Sequence, residues 1–128
     1  MVKAGRFSVY GNSMLPIIAH DSKVKIAHAD GFSVGDIVVF KRKHYVLHRI
    51  VKIIGSKIIT KGDNNPIIDK PIKKSMIIAK ITSVNGRRID DYNNKLIAQI
   101  SYIHGTISSI ARISIIDSFF RWLLRISF

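Results

Sequence analysis

Four side chains in this sequence have the chemistry of a hydrolytic site: Ser13, His48, Asp63 and Asp69. A serine hydroxyl is a poor nucleophile until a neighbouring base takes its proton during attack. Histidine suits that task because its pKa lies near neutrality. A carboxylate can then fix the imidazole tautomer and stabilise the imidazolium that forms. Ser13 follows Gly11 and Asn12 in Gly-Asn-Ser-Met-Leu-Pro. A tight turn there exposes backbone N–H groups, and the Asn12 side chain adds a further donor. Donors of this kind stabilise a developing oxyanion by about 3–4 kcal/mol each. Asp63 and Asp69 both compete to be the orienting carboxylate, and the residues alone leave that choice open. Each residue also has a plain structural role available, Ser13 and Asp63 in turns and His48 inside an apolar strand. The remaining histidines, His20, His28, His44 and His104, show no ligand spacing. With no cysteine and no His-x-x-x-His pair, neither a metal site nor a cofactor is expected.

The elements that must position these groups are short strands. Arg6 to Tyr10 alternates weakly, and Ser22 to His28 alternates charged and apolar residues through Lys23, Val24, Lys25 and Ile26. That is a period-two strand with one wet face. Val34-Gly35-Asp36 turns into Ile37-Val38-Val39-Phe40, and Lys41-Arg42-Lys43 fits a hairpin tip. His44 to Ile54 returns as a longer strand carrying His48, and Lys57 to Thr60 forms the next. Lys61 to Lys74, with Pro66 and Pro71, reads as loop. Ser75 to Val84 is strand-like, Asn85-Gly86 is a hairpin signal, and Arg87 to Asp90 would return. Leu96, Ile100, Ile103, Ile107 and Ile110 then recur at helical steps, continued by Phe120, Leu123 and Leu124, with Gly105 placed to kink or split the helix. The expected fold is mainly β with a C-terminal helix. It forms one domain over residues 1–128, with a β core at 1–90 and a helical segment at 91–128.

Composition narrows the function classes. The chain has 128 residues, 47% of them hydrophobic, which argues against disorder. The absence of cysteine excludes disulfides and thiol catalysis. A formal charge of +13 favours polyanions or an acidic membrane face, although the lysines are scattered. No secretory signal stretch and no run of about 20 apolar residues is present.

The order of motifs adds a resemblance. Gly11-Asn12-Ser13-Met14-Leu15-Pro16 resembles the Ser-Met-x-Pro nucleophile motif of the signal peptidase I superfamily. Val34-Gly35-Asp36-Ile37-Val38-Val39-Phe40 is similar to its Gly-Asp-hydrophobic strand. Val46-Leu47-His48-Arg49-Ile50-Val51 resembles the strand carrying its general base, and Thr60-Lys61-Gly62-Asp63-Asn64-Asn65 followed by Asp69 resembles its Gly-Asp-Asn box. The likeness runs from Tyr10 to Asp69, about half the chain. His48-Arg49 matches the archaeal and endoplasmic-reticulum type, which uses histidine rather than lysine as base. The resemblance implies Ser13 as nucleophile, His48 as base, and Asp69 slightly ahead of Asp63 as the carboxylate. It also implies Met14 packed beneath the site and a fold of coiled β-sheets. The substrate implied is a peptide or preprotein, cleaved at a signal or leader segment. Membrane members carry a spanning helix just before the serine motif. Twelve residues precede Ser13 here, so the resemblance is to a small stand-alone form.

Ser118 to Phe128, aromatic and arginine-bearing, fits a helix packed on the sheets or a partner, or one lying in a membrane interface. Peripheral membrane association through this segment is therefore expected, with a cytoplasmic stand-alone form as the alternative. Two competing functions remain. A repressor-type autopeptidase would share the fold, but that relative uses a lysine base and an upstream DNA-binding domain. A non-enzymatic basic β-barrel could bind nucleic acid, but no aromatic-rich strand supports it and no specific nucleic-acid partner is expected.

Overall fold

A computed structural model describes residues 4–28, 30–89, 91–111 and 114–126, and their side chains except at 91–93, 109–111 and 114–118. Eight strands precede two helices: β1 (Gly5–Ser8), β2 (Lys23–Ala27), β3 (Ile37–Lys41), β4 (Tyr45–Ile54), β5 (Lys57–Lys61), β6 (Ile72–Lys73), β7 (Ile77–Val84), β8 (Arg87–Arg88), α1 (Asp91–Ala111) and α2 (Ser114–Ile126). Every strand pairing is antiparallel. The order is β1-β2-β7-β3-β4-β5-β6, with β8 on β7, and the sheet curls into a half-barrel. The late strand β7 thus pairs with both β2 and β3 and joins the N-terminal part of the sheet to the hairpins that follow.

Local sequence explains most of these elements. In β2 Lys23 and Lys25 are exposed while Val24 and Ile26 are buried, as strand alternation requires. In β3 Ile37, Val38 and Phe40 are buried, and the chain bends at residues 42–44 before β4. Two apolar clusters form the core. One gathers Met14, Ile18, Val24, Ile26, Ile37, Ala79 and Ile81. The other gathers Val38, Phe40, Ile50, Ile58 and Ile72. Complete burial of a side chain such as Ile18 or Ile50 contributes about 1.5–3 kcal/mol.

Three expectations need correction. The loop from Lys61 to Lys74 contains β6, whose Ile72 is buried and pairs opposite Ile58. Residues 74–76 form a 3-10 turn, so the strand expected from Ser75 starts at Ile77. Gly105 does not split α1, which runs unbroken from Asp91 to Ala111. It marks a close approach instead: a Cβ there would stand 2.7 Å from Ile68 Cγ1 and 3.3 Å from Lys61 Cδ. The helical stripe of α1 does not face the sheet. The buried side of α1 is Asn94, Ile97, Ala98, Ser101, His104 and Ser108, whereas Leu96 and Ile103 are exposed. Small and polar residues let the helix lie close against the strands. Asp90, the end of the expected returning strand, lies outside the described residues, and so does the side chain of Ile110.

Candidate active site

His48 and Arg49 are successive residues of β4, so their side chains leave the strand on opposite faces. Their partners differ accordingly. His48 Nδ1 lies 2.6 Å from Asp69 Oδ2. The same oxygen accepts a hydrogen bond from Thr60 Oγ1 at 2.7 Å. Asp69 is further fixed by its backbone N–H, which donates to the Thr60 carbonyl at 2.9 Å. The carboxylate is therefore held at two points beside β5, and the Phe40 ring stands edge-on to the imidazole. An Nδ1–H donated to Asp69 leaves the Nε2 lone pair as the acceptor.

Arg49 takes the other aspartate. Its Nε and Nη2 donate to the two carboxylate oxygens of Asp63 at 2.9 and 2.8 Å, a bidentate pair with both side chains fully buried. Its Nη1 donates to the Gly35 carbonyl and to Asn94 Oδ1. Arg49 thus ties the loop after β5 to the turn before β3 and to the first turns of α1. The two aspartates left open by the sequence have separate partners: Asp69 meets the histidine and Asp63 meets the arginine.

The serine turn is stitched to that same loop. Asn64 N–H donates to the Ser13 carbonyl at 2.8 Å, and Asn64 Nδ2 donates to the Asn12 carbonyl at 3.0 Å. Met14 is buried beneath the turn, its sulfur 3.5 Å from the Asp63 N–H. Gly62 sits at the junction. A Cβ on it would stand 2.8 Å from the Ser13 carbonyl oxygen, 2.9 Å from His48 Nε2 and 2.7 Å from Asn65 Nδ2. Only a glycine fits there, because Ser13 and the outer nitrogen of His48 both press against it. No hydrogen bond joins Ser13 to His48 among the described residues, a looseness common in unliganded sites.

Ser13 and His48 line one cleft of about 750 Å³, walled mainly by apolar side chains including Phe7, Val9, Ile26, Val39, Leu47 and Ile78. At its serine end, the Gly11 N–H donates to His20 Nδ1 at 3.0 Å and is thereby occupied. The N–H groups of Asn12 and Ser13 have no acceptor among the described residues. Gly11 therefore shapes the turn, with φ of +90°, and the following two N–H groups remain available.

The sequence reading missed Thr60, Gly62, Asn64, Asn94 and His20 as parts of this arrangement. Thr60 and Gly62 flank Lys61 within a motif that had been singled out, so the signal was present. His20 and Asn94 carried none, since their roles depend on long-range chain paths. No group of His, Cys, Asp or Glu among the described residues is arranged to hold a metal ion. No family model, no curated protein and no solved structure matches this chain.

Proposed function

We propose that the protein is a serine endopeptidase of signal-peptidase type, with a histidine base, cleaving a signal or leader segment of a peptide or preprotein. The observation that carries this reading is the His48–Asp69 pair, whose free Nε2 abuts Gly62 beside Ser13 at one end of an apolar cleft. An extended peptide would lie along that cleft with its scissile carbonyl over Ser13. Ser13 Oγ attacks the carbonyl carbon as His48 Nε2 takes the hydroxyl proton. The N–H groups of Ser13 and Asn12, with the Asn12 amide, receive the oxyanion. The imidazolium, stabilised by Asp69, then protonates the departing amine. Water, deprotonated by His48, hydrolyses the ester and frees Ser13. Under this reading the curled sheet is the coiled β-fold of signal peptidases and repressor autopeptidases.

The test compares the parent with Ser13→Ala on a library of extended peptides rich in apolar residues. Cleavage by the parent and none by a folded Ser13→Ala protein supports the reading. Equal cleavage by both removes Ser13 as nucleophile.

One observation favours polyanion binding as a second reading. Arg6, Lys23, Lys25 and Arg88 line an open cleft of about 820 Å³ that has no acidic residue in its walls. Salt-sensitive binding of single-stranded nucleic acid, lost on replacing Lys23 and Lys25, would support it.

A further inference from the structure

The helical layer is apolar on the wrong side for a chain surrounded by water. On α1 the exposed and half-buried stripe is Leu96, Ile100, Ile103 and Ile107, while the sheet-facing side is largely small or polar. No Asp, Glu, Lys or Arg occurs between Leu96 and Ala111. On α2 the inner side holds Leu124, which is buried, and Phe120, which stacks on His104 of α1 at 4.7 Å. The outer side holds Phe119, Trp122 and Ile126, at 53%, 54% and 62% exposure. At 100° per residue these three fall within one sixth of a turn, and Arg125 and then Arg121 follow on one flank, between that face and the buried Leu124. An exposed aromatic and aliphatic face bordered by arginine is the arrangement of a helix lying in a bilayer interface. The rings enter the acyl boundary, and the guanidinium groups stay at the headgroups. No helix among the described residues is long and apolar enough to cross a membrane.

We propose that the outer face of α1 and α2 docks on an anionic lipid surface, with α2 lying in the headgroup layer. Charge selects this occupant over a second copy of the chain. Two copies, each with a formal net charge of +13, would set Arg121 and Arg125 against their like, whereas anionic headgroups neutralise them. The proposal is independent of the peptidase reading, because none of its residues touches Ser13, His48 or Asp69.

The chain's single tryptophan, Trp122, reports on the proposal directly. The intact protein is mixed with vesicles of phosphatidylcholine alone, and with vesicles in which about one third of the lipid is phosphatidylglycerol. The expected result is co-flotation with the anionic vesicles, a blue shift of Trp122 emission and its quenching by brominated acyl chains. Neutral vesicles should bind far less. Phe119→Ser with Ile126→Ser keeps the reporter and should weaken binding at least tenfold while leaving Ser13 labelling by a serine-reactive probe intact. Arg121→Gln with Arg125→Gln should weaken binding to anionic vesicles by roughly tenfold or more, with little change on neutral ones. Two results overturn the proposal: Trp122 emission unmoved by anionic vesicles, or a dimer in sedimentation equilibrium that the Phe119 and Ile126 substitutions dissociate.

Discussion

Two charged pairs begin on adjacent residues of one strand and end in opposite circumstances. His48–Asp69 stands at the rim of a cleft, with a second hydrogen bond from Thr60 and one imidazole nitrogen left open. Arg49–Asp63 is fully buried, and the guanidinium also donates to the Gly35 carbonyl and to Asn94 Oδ1. The first pair keeps an unused acceptor, as a base requires. The second uses its donors to lock the loop, the turn and the helix around the first. Strand alternation separates the two jobs by a single residue. Substitutions on the two sides should therefore fail in different ways, one in rate and the other in stability.

The largest effect is expected at Asp69. Asp69→Asn removes the charge that orients and supports His48, and it should lower the cleavage rate by about 10²–10⁴-fold with little change in melting temperature. Steady-state kinetics beside thermal unfolding checks both halves. A mainly thermal effect would erase the distinction between the pairs. Arg49→Met should do the reverse. It strands Asp63 in the interior and should cost about 3–5 kcal/mol in denaturant unfolding. Replacing Asp63 with leucine in the same protein should recover much of that loss, because no lone charge remains.

Smaller effects sharpen the boundary. Gly62→Ala pushes a methyl against the Ser13 carbonyl and His48 Nε2, and at least the backbone contact cannot be relieved by a rotamer change. A roughly ten- to hundredfold loss of activity is expected, through displaced groups rather than lost ones. Thr60→Val preserves shape and deletes one hydrogen bond to Asp69. A few-fold fall in rate should follow, in line with a bond contributing about 1 kcal/mol.

Much of the sheet was legible because strand signals are local. The alternation in Ser22 to His28 gave β2, and Asn85-Gly86 gave the last hairpin turn. The grouping of Ser13, His48 and the two aspartates was legible as residue types in order. Which aspartate faces the histidine was not, because the answer depends on the path of the loop from Gly62 to Pro71. The face that α1 turns to the sheet was not legible for a related reason. Periodicity identifies a helix and its apolar side, but not whether that side meets the chain's own sheet. Gly105, read as a kink, is where α1 comes closest to Lys61 and Ile68. β6 escaped notice because two residues between prolines and lysines carry no period.

The central claim is that His48, oriented by Asp69, activates the hydroxyl of Ser13. Labelling by a serine-reactive phosphonate, mapped by peptide mass spectrometry, tests it most directly. The account predicts modification at Ser13 in the parent protein, none in Ser13→Ala, and a rate reduced at least about a hundredfold in folded His48→Gln. Labelling that proceeds at the parent rate in His48→Gln, or that falls on another serine, would contradict it.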